Sequence, residues 1–324
     1  MSEERIGDKL MTAREAVERF IPDGAQIALG GFTINRNPMA LAREIVRQGK
    51  KDLHLVCHSH GQAMDLLVGA GCVKRIEIAY AGSGRFAPTS IRFRKAVQEG
   101  ALEVEDYSNF QMSLRFLGGS LGLPFMPAKT GFETDLVKKQ GFSESSRTEP
   151  KVANKKMLEM ENPFDSGRDK VLLLPSLTPD VALVHAQYVG DDGTARIKGL
   201  TFADVEQARA AKTLIVSCEE IVPAEHLRQD PDQNQLPHFL VDAVVKAPYG
   251  AHPTACHFFY DYHPQHLWTY KKNAGNDRAF MDYLQEWVFG ISDEHDYLEK
   301  VGISELLTIK ASRITGYAPG LDRR

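Results

Sequence analysis

The stretch IALGGFTINRNPMALAREIVRQG, residues 27–49, most constrains what this chain can fold into. A short apolar run ends on Gly30 and Gly31, and a helical pattern that Asn37 is predicted to cap follows. A second apolar run, DLHLVC at residues 52–57, comes directly afterwards. Strand, glycine turn, helix and strand form a βαβ unit, so these two strands are expected to be parallel.

The same alternation continues along the chain. Further strands are predicted at residues 75–81, 102–105, 171–176, 180–189 and 213–222, and helices at residues 63–68, 91–100 and 203–212. Several of these strands are runs of consecutive apolar residues, which is typical of burial on both faces. The sequence therefore predicts a three-layer α/β fold around an open, mostly parallel sheet. We expect residues 1–324 to form a single domain, with the polar stretch 138–167 as an irregular surface excursion.

Composition excludes several classes of function. A net charge of -4, from 39 basic and 43 acidic side chains, is not that of a nucleic-acid-binding protein. No apolar run approaches the roughly 18 residues of a membrane span, and the charged N-terminus lacks the apolar stretch of a signal peptide. Cys57, Cys72, Cys218 and Cys256 are scattered without close spacing. They are typical of reduced thiols in a cytoplasmic protein.

The glycine turn matches neither common nucleotide-binding motif. A Rossmann turn needs G-x-G-x-x-G and an acid after the second strand, but here the turn reads GGFTIN and residues 57–60 read CHSH. The Walker pattern is absent from the sequence. Two interpretations stay open: Gly30 and Gly31 make a tight turn, or they let a ligand approach bare backbone N–H groups at a strand end.

Several longer segments carry a family resemblance. They are GGFTINRNPMALAREIVRQG, GAGCVKRIEIAYAGSG, IRFRKAVQEGALEVEDYS, LGLPFMP, ENPF, CEEI and VDAVVKAPYGAHPTAC. In order and spacing they resemble the A (alpha) subunits of family I CoA-transferases, in particular that of glutaconate CoA-transferase. The resemblance implies a fold shared with sugar-phosphate isomerase-like proteins. It also implies an enzyme that moves CoA between a carboxylic or dicarboxylic acid and an acyl-CoA.

The resemblance further implies that this chain is incomplete as an enzyme. In such transferases a B (beta) subunit supplies the nucleophilic glutamate, and the active site lies between the two subunits. Coenzyme A is then a cosubstrate, with no permanently bound cofactor, and the assembly is a heterotetramer or larger. We hypothesise that the backbone N–H groups of Gly30, Gly31 and Phe32 face a thioester carbonyl, as an oxyanion site requires, or that Gly30 and Gly31 bind CoA.

Candidate substrate-binding residues lie at three strand ends. A free substrate carboxylate is best recognised by arginine. The candidates are Arg85, Ser83, His58, Ser59, His60 and Arg36. For the two histidines a substrate or CoA contact, a metal site and a satisfied polar strand end all remain open; because too few further ligands are near, no metal site is predicted.

Two other functions remain open. The chain could belong to a homologue that hydrolyses or decarboxylates an acyl-CoA, in which His58 or His60 would serve as the general base. Alternatively, the fold could serve a non-catalytic ligand-binding module. Cys218–Glu219–Glu220 is interpreted as a contact to the partner subunit or as a cap for the following turn, with a catalytic nucleophile as a further alternative. The histidine-rich stretch 247–266 covers the active site or packs on the partner chain, and the resemblance favours the partner contact.

Overall fold

A computed structural model describes residues 6–167 and 169–323, so the first five residues of the charged N-terminal stretch lie outside the described part. The strands are β1 (Gln26–Leu29), β2 (Leu53–His60), β3 (Val73–Ala81), β4 (Glu103–Asp106), β5 (Phe125–Ala128), β6 (Leu158–Glu161), β7 (Lys170–Pro175), β8 (Val181–Gly190), β9 (Ala195–Arg196), β10 (Thr213–Val222) and β11 (Ala243–Lys246). The helices are α1 (Ala13–Phe20), α2 (Met39–Arg47), α3 (Gln62–Gly69), α4 (Ile91–Gln98), α5 (Asn109–Ser120), α6 (Asp135–Lys138), α7 (Asp204–Ala210), α8 (Ala224–Arg228), α9 (Pro264–Ala274), α10 (Asp277–Leu284), α11 (Glu294–Val301) and α12 (Ile303–Thr308).

The main sheet has the order β11-β10-β8-β1-β2-β3-β4. Every pair along this path is parallel, and only the short β9 pairs antiparallel, on β8. From β1 the sheet continues through β2, β3 and β4 to one edge, and from β8 it continues through β10 and β11 to the other edge. The boundary between β1 and β8 is therefore the switch point at which open α/β sheets form their ligand crevice.

Side chains of β1 alternate between two apolar cores, one on each face of the sheet. Ile27 and Leu29 join the core that contains α1–α3, α9 and α10, whereas Ala28 joins the core that contains α5 and α7. All three residues are fully buried. Helices therefore cover both faces of the sheet, and the prediction of a three-layer, mostly parallel α/β fold is confirmed.

The first βαβ unit has the predicted form but a different helix start. Helix α2 begins at Met39, with Pro38 before it, and no side chain caps it. The predicted cap, Asn37, instead accepts a hydrogen bond from the backbone N–H of Ala63 on α3 (3.3 Å). Asn37 thus joins two helices instead of closing one.

Residues 171–176 do not belong to the main sheet, contrary to the prediction. They lie in β7, which pairs antiparallel with β5 and β6 in a separate small sheet. The predicted surface excursion contributes β6 to this sheet, and its Phe142, Ser146 and Lys156 are buried. The stretch 138–167 is therefore more ordered than predicted, because its few buried residues pack back onto the body of the chain.

A buried ion pair joins β3 to α5. Arg115 lies 2.5 Å from a carboxylate oxygen of Glu77, and the Nε2 of His54 lies 3.0 Å from the other. Burial by itself would raise the pKa of Glu77, but the charge of Arg115 and the contacts of His54 lower it to about 2.

Among the described residues, no helix is both long and apolar enough to cross a membrane.

Replacing Arg115 with Met should lower the free energy of unfolding by about 3–5 kcal/mol, because it leaves the Glu77 carboxylate buried without its partner. Lys170→Met is the control, since its pair with Glu159 is exposed and screened by solvent, so its loss should be much smaller. Urea unfolding followed by circular dichroism measures both losses. Equal losses would contradict the importance of the buried pair.

The same comparison has a defined pH dependence. The folded pKa of Glu77 lies near 2, below the usual value of about 4.3 for a glutamate. The contribution of this carboxylate to the stability of the fold is therefore full above about pH 4.3 and is lost as the pH falls towards 2. In the variant the uncompensated carboxylate takes up a proton more readily. The difference in the free energy of unfolding between wild type and Arg115→Met should therefore become smaller as the pH is lowered from 7 to 4.

Candidate active site

A cleft of about 400 Å³ opens beside the switch point of the sheet. Its wall comes from the segment after the parallel strand β1, the segment between β9 and α7, the loop between β11 and α9, and the C-terminal segment after α12. The lining residues are Ile34, Asn35, Arg36, Lys198, Gly199, Leu200, Phe202, Ala255, His257, Tyr260, Asp261, Tyr262, Gly316, Tyr317 and Arg323. This position is the one expected of a ligand site in an open α/β sheet.

Arg36, a predicted substrate ligand, is tied into the cleft wall. Its guanidinium lies 2.5 Å from Asp204, at the start of α7, and both groups are buried. It also donates to the carbonyl oxygens of Leu200 (2.6 Å) and His185 (3.3 Å). A guanidinium with these three partners shapes the wall, so the structure does not support Arg36 as a free carboxylate receptor.

The glycine turn does not present an oxyanion site. The N–H of Gly30 donates to the carbonyl of Leu183 (2.8 Å), that of Gly31 to the Asp204 carboxylate (2.6 Å), and that of Phe32 to Asn35 (2.8 Å). Buried backbone N–H groups find internal partners, and these three have them. The hypothesis that they face a thioester oxygen is therefore contradicted by this geometry.

Gly31 serves the turn itself. It has a φ of +86°, and a Cβ atom there would lie 2.5 Å from the carbonyl oxygens of Asn35 and Arg36. Only glycine fits such a close approach in the left-handed region. Of the two interpretations of the glycine pair, the structure supports the tight turn.

Strand β2 continues through His60, beyond the end predicted at Cys57. The Nε2–H of His60 donates to the carbonyl of Gly30 (2.9 Å), and burial lowers the pKa of this histidine to about 4. Ser59 donates from its hydroxyl to Oδ1 of Asn109 at the start of α5 (2.5 Å). Both side chains are buried and bonded within the chain, which favours the structural interpretation over a substrate contact, although Nδ1 of His60 has no partner among the described residues.

The aromatic ring of Phe32 separates His58 from Phe202 of the cleft wall. The ring centroid of His58 is 5.7 Å from that of Phe32, which in turn stacks at 4.6 Å on the cleft residue Phe202. Burial lowers the pKa of His58, an effect partly offset by a hydrogen bond to the backbone of Asn109. The imidazole is therefore neutral at pH 7, and its buried Nδ1 has no partner among the described residues.

The charged groups of the cleft are mostly cationic. The ammonium of Lys198 lies over the rings of Phe258 (5.2 Å) and Tyr188 (5.6 Å), and no described carboxylate pairs with it. Among the described lining residues the one carboxylate is that of Asp261, which forms an ion pair with Arg323. The cleft thus offers positive charge without an unpaired carboxylate.

Comparison with known proteins identifies the family. The family model described as coenzyme A transferase matches residues 10–247. The chain belongs to the coenzyme A transferase family. Over 310 residues it is 41% identical to the A (alpha) chain of glutaconate CoA-transferase from Acidaminococcus fermentans, a match that covers 95% of this chain and 97% of that one. The A (alpha) chain of 3-oxoadipate CoA-transferase from Pseudomonas knackmussii is 33% identical, over 90% of this chain and 98% of that one.

The fold comparison agrees. The crystal structure of glutaconate coenzyme A-transferase from A. fermentans matches with a TM-score of 0.93 at 40% identity, covering 97% of this chain and 98% of that one. The predicted resemblance, fold and enzyme class are confirmed: the chain is an alpha subunit of a family I CoA-transferase.

Two predicted ligands of this CoA-transferase chain lie outside the cleft. Arg85 is exposed on its loop and donates to the backbone carbonyl of Asp322 (3.0 Å). Ser83 is buried in the same turn, where its backbone N–H donates to the carbonyl of Ala87 (2.8 Å). Neither residue lines the cleft, so the predicted set does not converge on one place.

The polar network behind the cleft of this CoA-transferase was not predicted from the sequence. Glu219 is buried within β10, not at its end, and accepts hydrogen bonds from His185 Nε2 (2.7 Å), the Tyr260 hydroxyl (2.6 Å) and the Tyr249 N–H (2.8 Å). Contacts within this chain therefore satisfy Glu219, and the partner contact or turn cap expected at residues 218–220 stays a prediction. The density of histidine and tyrosine in residues 247–266 was the available signal, since Tyr260 also lines the cleft.

Replacing Gly31 with Ala should destabilise the CoA-transferase chain by more than about 2 kcal/mol, because the new Cβ meets two backbone carbonyls and displaces the turn. Gly122→Ala is the matched control: its φ is +69°, but no atom lies within 4 Å of the added Cβ. That control should cost only about 1–2 kcal/mol of backbone strain. Urea unfolding compares the two, and a Gly122 effect as large as that of Gly31 would refute the close-contact argument.

Proposed function

We propose that this subunit binds an acyl-CoA in its cleft and, with a B (beta) subunit, moves CoA between that ester and a carboxylic or dicarboxylic acid. The observation that carries the proposal is the cleft itself: it lies at the switch point and carries cationic groups. No unpaired carboxylate lines its described part. Glu219, directly behind it, is buried and accepts three hydrogen bonds. The attacking carboxylate therefore has to come from a partner.

The proposed chemistry follows from this division. A glutamate carboxylate of the beta subunit first attacks the thioester carbonyl, and CoA thiolate leaves as an acyl-glutamyl anhydride forms. The thiolate then attacks the glutamyl carbonyl, which releases the first acid and gives a glutamyl-CoA thioester. An incoming acid reverses these two steps. Because the N–H groups of the glycine turn are occupied, the oxyanion donors of the first step must be other groups.

We assign anion recognition in the cleft to Lys198. Its ammonium is held over two aromatic rings, yet no described carboxylate neutralises it. A CoA phosphate or the free carboxylate of a dicarboxylic mono-ester would complete its pairing. His257, a neighbour in the cleft wall, has its pKa lowered by burial and contributes a neutral imidazole.

We propose that the beta subunit covers the mouth of the cleft. Two apolar residues of the cleft lining are exposed, Leu200 (74%) and Tyr317 (53%), and Ile314 (91%), two residues before Gly316 of the lining, is exposed as well. Exposed apolar residues grouped at a site rim are typical of protein interfaces. Assembly of such pairs into a heterotetramer or larger, and a cytoplasmic location, remain proposals; the four buried, unpaired cysteines are compatible with a reducing compartment.

A second function, hydrolysis or decarboxylation of an acyl-CoA, has one observation in its favour. His58 is neutral at pH 7 because burial lowers its pKa, and its Nδ1 has no partner among the described residues. A neutral imidazole of this kind can act as a general base. It lies behind Phe32 and Phe202, however, so the transferase is the function that the geometry supports better.

The deciding experiment co-expresses this chain with a CoA-transferase beta subunit from the same genome. The complex and the lone chain are each incubated with glutaryl-CoA and acetate. We expect acetyl-CoA from the complex only, and a borohydride-trapped glutamyl thioester on the beta subunit. Free CoA without acetyl-CoA would indicate hydrolysis, and acetyl-CoA from the lone chain would contradict the division of labour.

Replacing Lys198 with Gln should raise the KM of the complex for the CoA ester about 10-fold, since a charge-assisted hydrogen bond contributes about 1.5–3 kcal/mol. Lys271→Gln is the control, because that ammonium also lies over an aromatic ring, Trp268 (4.6 Å), but outside the cleft. Steady-state kinetics at fixed acetate measures both. An unchanged KM in Lys198→Gln would remove this residue from the anion site.

A further inference from the structure

Three histidines meet in the interior of the C-terminal part of the chain. His252, His263 and His266 are 0%, 3% and 5% exposed. One ring nitrogen of each lies within 4.8 Å of one ring nitrogen of the others. Nε2 of His252 and Nδ1 of His263 are 2.8 Å apart. Two lone pairs facing each other at this distance repel, so a proton or a cation has to lie between them.

The outward nitrogen of each ring has an oxygen partner. Nδ1 of His252 lies 2.7 Å from the Tyr297 hydroxyl, and Nε2 of His263 lies 3.2 Å from the Glu305 carboxylate. The third partner is the Tyr283 hydroxyl, 3.0 Å from Nε2 of His266. Metal-bound histidines nearly always hold their second nitrogen in this way, because the outer partner fixes both tautomer and ring orientation.

The guanidinium of Arg43 lies beside the histidine cluster, where it donates to the carbonyl of His252 (3.1 Å). The nearby positive charge of Arg43 is paired with Glu294.

The surrounding backbone is unusual at this point. A π-helical turn, Gln285–Phe289, follows α10 and places the ring of Trp287 4.6 Å from that of His266. Such turns are rare and are frequent at functional sites. The histidines themselves come from the loop after β11 and from the start of α9, so a shared ligand would fasten one to the other.

We propose that His252, His263 and His266 bind one zinc ion, through Nε2, Nδ1 and Nδ1 respectively. Three imidazoles suit zinc, and a water or hydroxide completes a tetrahedral site. The ion replaces the proton between His252 and His263. Its role is structural: it clamps the loop that carries Ala255 and Tyr260 of the cleft wall against α9. No metal site was expected from the sequence, and the proposal does not rest on the proposed reaction.

Two other groups of potential ligands are less suitable. His185, Glu219 and Cys256 lie close together, but His185 and Glu219 are bonded to each other (2.7 Å), and Glu219 accepts two further hydrogen bonds. His295, Asp296 and Glu299 form an exposed group on α11 with no buried outer partners. Both groups serve as controls.

The test uses the whole purified chain, freed of metal with EDTA and titrated with zinc sulfate. Mass spectrometry of the metal content should give one zinc per chain, and zinc should raise the melting temperature. In His263→Gln the affinity should fall about 100-fold or more, beyond the 10–100-fold cost of losing an outer partner. In the control His295→Gln both zinc content and the melting shift should be unchanged.

Cobalt substitution tests the site in the wild-type chain, so its result does not depend on whether a variant folds correctly. Tetrahedral histidine coordination predicts visible d–d bands without a sulfur-to-cobalt charge-transfer band. Absence of zinc uptake by the folded wild type, or undiminished uptake by His263→Gln, would overturn the proposal. Loss of uptake in His295→Gln, or a sulfur charge-transfer band that assigns the ion to Cys256, would also overturn it.

Discussion

The carboxylate of Asp204 is the constraint on which the cleft depends. One oxygen accepts the N–H of Gly31, and the other faces the guanidinium of Arg36, with all three groups buried. A buried pair of this kind is costly to break because each partner alone is an uncompensated charge. Through Arg36 the same carboxylate also fixes the carbonyls of Leu200 and His185. The turn after β1, the start of α7 and the segment after β9 are therefore one rigid unit.

The polar groups around the cleft follow the same rule. Glu219, like Asp204, is satisfied within the chain, and the glycine turn has no N–H group to spare. The groups that this chain contributes to the cleft wall are aromatic rings and positively charged side chains. Reactivity in a thioester exchange requires a carboxylate and oxyanion donors that are free to respond to the substrate. Because the polar groups around the cleft are hydrogen-bonded within this alpha subunit, the proposed reaction needs a carboxylate from a second chain.

Local patterns in the sequence predicted the sheet well and the site poorly. The run from residue 27 to residue 49 specified the first βαβ unit, because glycines, helical periodicity and apolar strands act over short distances. Residues 171–176 look like a buried parallel strand but pair elsewhere, since an apolar run does not reveal its sheet. Arg36 lies in the cleft wall and His60 is bonded to the glycine turn, so both are engaged within the chain, and their roles towards a substrate stay predictions. Their partners are Asp204, far away in the sequence, and the backbone carbonyl of Gly30, and no motif reveals either pairing.

The central position of β1 has a consequence for synthesis of the chain. Ile27 pairs with Leu55 on one side and with Val181 on the other, so one edge of β1 has no neighbour until residues of β8 have left the ribosome. An uncovered apolar strand edge invites pairing with another chain. The growing polypeptide therefore carries an unpaired apolar strand edge for nearly half of its translation.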